Sequence, residues 1–125
     1  WSNSQRICEE ITDETLILFG RIIADANQFV SSWGGDLVFV YLPTWMRYHD
    51  PDNSCNMGLT DFKYRDEVLS IAGDTGLTII DVTQAFDAHQ DPLSLWPFRI
   101  GGQHYNADGY KIVADTVLHS LEMHK

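Results

Sequence analysis

The sequence predicts an α/β fold, a three-layer sandwich with a parallel sheet, of which this chain supplies an αβαβα portion. Three observations carry the prediction. Two short apolar runs, Leu37–Leu42 and Leu77–Val82, are rich in β-branched and aromatic residues. They read as strands covered on both faces. Stretches with apolar residues at helical spacing precede each run and follow the second. That alternation is the order of a parallel sheet with right-handed crossovers.

Residues 1–10 read as a polar lead-in. The first helix is expected over 12–33. Thr12 or Asp13 caps it, and Leu16, Phe19, Ile22, Ile23, Ala26, Val30 and Trp33 lie on its inward face. Gly34-Gly35 ends it, because glycine enters the left-handed conformation a helix terminus often needs. The strand 37–42 follows and stops at Pro43. Residues 44–59 read as irregular. A second helix starts at Thr60, turns Tyr64, Val68, Ile71 and Ala72 inward, and closes at Gly73. Asp74-Thr75-Gly76 turns the chain into the strand 77–82. Residues 83–105 read as a long irregular loop. The last helix opens at about Ala107, capped by Asn106, with Asp108 set against the positive end of its dipole. Its inward residues are Tyr110, Val113, Ala114, Val117, Leu118 and Leu121.

The chain has 125 residues, 44% of them hydrophobic and 12% aromatic. This suits one globular domain, 1–125. The net charge of -10, with eight scattered Lys and Arg, argues against nucleic acid and against an anionic membrane surface. Neutral and cationic ligands stay open. No apolar run is long enough to span a bilayer. The chain opens on Trp1 and not Met, which leaves the compartment open. Cys8 and Cys55 fit no zinc spacing and read as two separate thiols, with a single bridge open in an oxidising compartment.

Topology places function. Ligands of open α/β sheets sit beyond the carboxyl ends of the strands. The two long loops, 43–59 and 83–105, leave from that edge, while 34–36 and 73–76 at the other edge are short. The stretch Trp96–Tyr110 delivers His104 to this edge, beside a helix N-terminus. Two strands are too few for a covered parallel sheet. The chain is therefore expected to be the C-terminal part of a larger domain. Further strands then come from absent sequence, a cleaved partner segment or another copy.

Gly101-Gly102-Gln103-His104-Tyr105-Asn106-Ala107-Asp108-Gly109-Tyr110, followed by an amphipathic helix, resembles the last block of the SGNH (GDSL-like) hydrolase family. There a catalytic histidine precedes an "H-x-N-x-x-G-Y/H" stretch that opens the C-terminal helix. The helix 12–33, the strand ending in Tyr41-Leu42-Pro43-Thr44 and the strand ending in Ile80-Asp81-Val82-Thr83 are similar to the later elements of that flavodoxin-like fold. The resemblance covers the chain from about Thr12 onward. It implies a serine esterase or lipase-type hydrolase acting on an ester, a carbohydrate O-acyl ester among the options. In the resemblance His104 would be the general base. The nucleophilic serine and the oxyanion hole would lie upstream of Trp1, so the chain alone is expected to be inactive. No cofactor is implied. The family usually orients its histidine with an aspartate three residues earlier. Here that position is Gly101, so a dyad is implied, or an acid from elsewhere, with Asp91 and then Asp87 as candidates.

Gly73-Asp74-Thr75-Gly76 looks like a nucleophile box with threonine for serine. It lies before a strand, on the edge opposite His104, and reads as a turn. His49-Asp50-Pro51-Asp52-Asn53 lacks calcium-loop spacing and reads as a solvated loop; no metal is expected. His89, His119 and His124 have no paired ligand spacing. Arg99 either holds an anionic substrate group or pairs with a carboxylate. Trp45, Trp96 and Tyr105 either line a pocket or pack the loops; Arg99, Tyr105 and Trp45 are the substrate-binding candidates. The alternatives to a hydrolase are an O-acetyltransferase and a non-catalytic α/β module binding a ligand or partner at the same edge. Self-association through an unpaired strand edge is a further option.

Overall fold

Asp13–Ser32 form the helix α1, and Thr12 caps it by accepting the Thr15 N–H on its hydroxyl at 3.2 Å. The computed structural model describes residues 11–52, 62–102 and 104–124. Cys8, Cys55, Thr60, Asn53 and the polar lead-in lie outside them. α1 ends where Gly34 takes φ 81°, as the glycine pair requires.

The strand β1, Val38–Tyr41, pairs in parallel with β2, Thr78–Asp81. Val38 stands beside Thr78 and Tyr41 beside Asp81. Between them come a short helix α2, Trp45–His49, a 3-10 turn, Phe62–Tyr64, and the helix α3, Arg65–Asp74. After β2 the chain forms α4, Thr83–Asp87, two 3-10 turns, Pro92–Leu95 and Pro97–Arg99, and the long helix α5, Ala107–Met123.

Strand alternation sends neighbouring side chains to opposite faces. On one face, Val38, Val40 and Ile80 join Val82, Phe86, Leu95 and Trp96, and α5 adds Ile112, Val113 and Val117. On the other, Phe39 meets Phe19 of α1 edge to face, with centroids 6.0 Å apart. α1 packs on α3 at Gly20, where an added Cβ would lie 3.0 Å from Ile71 Cγ2. The molecule is thus mixed α/β around a two-stranded parallel sheet.

Several expected details differ. Where irregular chain was expected over 44–59 and 83–105, the described residues form the helix α2 in the first stretch and α4 with two 3-10 turns in the second. Asp81 starts α4 by accepting the Thr83 N–H at 3.0 Å, a local side-chain bond that a periodicity reading misses. Gly73 lies inside α3, and it is Gly76, at φ 84°, that turns the chain. Ile22 of α1 and Trp33 just past it are exposed, as are Tyr110, Ala114, Leu118 and Leu121 of α5. The cause is geometric: a two-stranded sheet is too narrow to cover the full apolar stripe of a 17- or 20-residue helix. No described helix is long and apolar enough to cross a membrane.

Candidate functional site

The carboxyl edge of the sheet is built on aromatic residues. Trp96 is 2% exposed and Phe86 fully buried, and their rings meet edge to face at 5.6 Å. Tyr105 contacts both, at 4.9 Å from Phe86 and 5.2 Å from Trp96. Its hydroxyl donates to the carbonyl of Pro43 at 2.5 Å, which ties the histidine segment to the chain leaving β1. Burial, with lesser contributions from Tyr110 and Tyr41, pushes the Tyr105 phenol above its ordinary range.

The segment after Tyr105 is fixed by Asn106. Its side-chain oxygen accepts the Gly109 N–H at 3.0 Å, capping α5. Its amide group donates to the Ser94 carbonyl at 2.7 Å, and its backbone N–H donates to the Leu95 carbonyl at 2.9 Å. Gly109 is buried in the first turn. A Cβ there would lie 2.7 Å from the Leu95 oxygen and 2.7 Å from Tyr105 Cβ. Tyr105 and Tyr110 bracket the cap, with their rings 5.4 Å apart at 68°. This is the contact across a cap that fixes the direction of an entering chain.

His104 follows from that geometry. It is exposed, and its Nδ1 lies 3.2 Å from the Tyr110 hydroxyl. Among the described residues no carboxylate, serine, threonine or cysteine bonds it. Neither candidate acid is free to do so. Asp91 is paired with Arg99, whose bond holds its carboxyl below the usual carboxylate range. Asp87 accepts from Arg47 at 3.1 and 3.3 Å and from the Tyr48 hydroxyl at 2.8 Å. Burial alone would raise Asp87, but these bonds outweigh it and hold the carboxyl low. Burial and the bond to Asp87 also push the Tyr48 phenol up.

The substrate-binding candidates have structural partners. Trp45 donates its indole N–H to the Arg99 carbonyl at 3.2 Å and stacks on His49 at 4.0 Å. Gly101 rests on the same indole: a Cβ built there would lie 2.5 Å from Trp45 Cε3. The Arg99 guanidinium is taken by Asp91, and the Tyr105 hydroxyl by Pro43. His104, Tyr105, Arg99 and Trp45 therefore belong to one knit region at the carboxyl edge.

Of the other sequence candidates, His89 borders this region through Asp91, and the rest take no part in it. The Asp74–Gly76 turn stands at the amino end of β2, where Thr75 donates its hydroxyl to the Ala72 carbonyl at 2.6 Å. His89 accepts the Asp91 N–H on Nδ1 at 2.9 Å. His119 and His124 are exposed on α5 and just past it. No described group of three or more His, Cys, Asp or Glu residues is placed to hold a metal.

Sequence reasoning missed three relationships. Tyr110 as the partner of His104 was available from position, since residues two before and four after a cap share the head of a helix. The Arg47–Tyr48–Asp87 cluster joins two loops read as irregular, so no spacing announced it. The Arg65–Asp81 ion pair links the start of α3 to the end of β2, a contact set by packing alone.

Compared with protein-family models, with curated proteins and with solved structures, the chain finds no match.

Proposed function

We propose that this chain carries the histidine-bearing part of an SGNH-like serine esterase, with a three-layer sandwich completed by further strands, and that His104 is its general base. The observation that carries the reading is His104 itself: an exposed imidazole oriented through Nδ1 by Tyr110, beside a tyrosine anchored to the end of β1. In the tautomer that carries its proton on Nδ1 and donates it to Tyr110, Nε2 presents a lone pair, the form a general base needs. In this reading a serine Oγ attacks the ester carbonyl while Nε2 takes its proton. The same proton then passes to the departing alkoxide, and water releases the acyl group by the reverse path. Tyr110 stands in for the orienting acid, because Trp45 fills the space that a side chain at 101 would occupy.

The serine belongs to sequence outside this chain. Two features support a partner at the sheet. Each strand is paired on one side only among the described residues. The helices on both faces expose large apolar side chains, including Ile17, Leu18 and Phe29 on α1 and Leu118 on α5. Exposed apolar surface beside an unpaired strand invites extension of the sheet.

The test is labelling with a fluorophosphonate probe. The 125-residue chain alone stays unlabelled. The chain expressed with its flanking coding sequence is labelled on serine, and His104→Ala abolishes that labelling. Labelling that survives the substitution sinks the assignment of His104.

A second reading, a non-catalytic module binding a ligand at the same edge, is favoured by one observation: Gly101 and Trp45 together exclude the acid the family uses. An unlabelled long chain that still binds an ester analogue at His104 would select it.

A further inference from the structure

His89 makes a bond that only its neutral ring can make. It sits where the chain leaves α4, with its N–H donating to the Phe86 carbonyl at 3.1 Å. Its Nδ1 accepts the Asp91 N–H at 2.9 Å. A backbone N–H can only donate, so Nδ1 must hold a lone pair and the ring proton must sit on Nε2. The bond reaches two residues along the chain, as in an Asx turn, where an asparagine or aspartate oxygen accepts the N–H two residues on. Asparagine would serve there at every pH. Histidine loses its acceptor when the ring is protonated, and it is the side chain that ordinarily gains its proton between about pH 8 and pH 5.

Asp91 is the node that this bond fixes. Its carbonyl accepts the Ser94 N–H at 3.0 Å and the Ser94 hydroxyl at 2.6 Å, which shapes the Pro92–Leu95 turn. Its carboxylate pairs with Arg99. The Arg99 carbonyl accepts the Trp45 indole N–H at 3.2 Å. Phe98 and Arg99 hold consecutive left-handed conformations, φ 54° and 61°. Residues that carry a Cβ keep such a backbone only where their surroundings over-determine it. A strained segment braced at Asp91 relaxes when the brace is loosened.

The charged groups around His89 leave the ring as the part that changes. The Asp91 carboxylate interacts with it, and the bond from Arg99 holds that carboxyl below its usual range, so it stays ionised while an imidazole titrates. Asp87, earlier on α4, is engaged by Arg47 and Tyr48 of α2. α2 also carries His49, stacked on Trp45. α5, packed on α4, carries Asp108, the Lys111–Asp115 pair, His119 and Glu122. The Pro92–Leu95 turn has no charged side chain.

We infer that His89 is a pH-sensitive clasp on the loop 91–99, in the region that also carries His104: the neutral ring closes it and the protonated ring opens it. When the ring takes a proton from solvent, Nδ1 gains a hydrogen and the Asp91 N–H loses its acceptor. The imidazolium turns to the Asp91 carboxylate and shares it with Arg99. The loop then gives up the bond between Arg99 and Trp45 and the left-handed pair. The clasp does not depend on what the site acts on.

The experiment is a pH titration of the full chain followed by NMR, from about pH 8 to about pH 5. The His89 ring, the Asp91 amide and the Trp45 indole N–H are expected to move with one shared midpoint. Protection of the Asp91 amide from solvent exchange, corrected for the intrinsic pH dependence of exchange, should fall about fivefold, the scale of one ordinary hydrogen bond. His89→Asn keeps an acceptor and loses the titration, so the Asp91 amide should stay protected and the Trp45 indole unmoved across the range. His89→Ala should show at both ends the low protection that the parent shows at the acid end. His49→Gln removes the imidazole on Trp45 and should leave the Asp91 response intact. The inference is overturned if Asp91 protection is constant through the His89 titration, if His89→Asn keeps the parent's pH response, or if His49→Gln abolishes it. It is overturned as well if Asp91 responds while the Trp45 indole does not, since the clasp would then hold one bond and not the loop.

Discussion

Gly101 lies against the face of the Trp45 indole, closely enough that a Cβ built at 101 would stand 2.5 Å from Trp45 Cε3. The indole is held on two sides, by its N–H on the Arg99 carbonyl and by stacking on His49. It cannot yield without breaking one of these. Gly101→Ala is therefore expected to destabilise the fold by roughly 1–2 kcal/mol, the usual scale of overpacking. Trp45→Ala should relieve that cost, so a double-mutant cycle read by denaturant unfolding should show coupling. Additive effects would mean that the loop and the indole separate freely.

Gly109 is the sterner case, because one neighbour is a backbone carbonyl and the other a Cβ fixed to its own backbone. The Leu95 carbonyl oxygen and Tyr105 Cβ both lie 2.7 Å from where its Cβ would be. Alanine is a better helix former than glycine by about 1 kcal/mol, yet Gly109→Ala is expected to lower stability by about 1–3 kcal/mol. Thermal unfolding decides the sign. A stabilised variant would show that α5 can lift away from the Leu95 turn.

Much of this was legible in the sequence, and the reasons are local. Asn106 as a cap, Asp108 in the first turn, the glycine stop after α1 and both strands follow from chemistry within a few residues of each other. The head of α5 was readable only in part: Asn106 and Asp108 act within one turn, but Tyr110 was expected to face inward and is exposed, and its contact with Tyr105 and the packing of Gly109 on Leu95 were not read. What escaped depends on contacts distant in sequence. Trp45 meets Gly101 and Arg99, and Arg47 and Tyr48 meet Asp87, about 40 to 56 residues away. Helical spacing identified the apolar stripes of α1 and α5. It could not report that Ile22, Trp33, Leu118 and Leu121 remain exposed, since that depends on how much sheet lies beneath them.

Acid dependence should reveal the Asp87 cluster. In the fold Arg47 and Tyr48 hold this carboxyl below its ordinary value near 4, despite the opposing effect of burial. A depressed carboxyl contributes stability that is present above the unfolded value and is lost as pH falls through the folded one. Stability should therefore decline as pH drops below about 4. Asp87→Asn should show a shallower decline than the parent in melting temperature against pH. The difference should be small, because the Asp87 side chain is 44% exposed and Arg47 27% exposed. Identical acid limbs in the two proteins would remove the cluster from the account.

At the alkaline end the sign reverses. Burial and the bond to Asp87 raise the Tyr48 phenol, and burial raises Tyr105. Both stay neutral in the fold at a pH where the unfolded chain ionises. Their contribution is whole below about pH 10 and is lost as pH climbs past it. Tyr105→Phe should flatten the alkaline limb while costing stability at neutral pH, because the Pro43 carbonyl loses its donor. Ultraviolet difference spectra that show ordinary phenol titration before unfolding would contradict this.

The Asn106 side chain separates two jobs that one substitution can split. Its oxygen caps the Gly109 N–H, and its amide group donates to the Ser94 carbonyl. Asn106→Ala loses both and should cost about 2 kcal/mol, a cap of roughly 1 kcal/mol with a part-buried hydrogen bond of about the same size. Asn106→Asp keeps the acceptor and places a negative charge at the positive end of α5, which is favourable, but it cannot donate to Ser94. It should therefore fall between the parent and the alanine variant. The His104 ring resonances give a second reading, since His104 reaches Tyr110 across this cap. They should stay near their parent positions in Asn106→Asp and move in Asn106→Ala. If the two variants perturb His104 equally, the cap is not what holds the histidine against Tyr110.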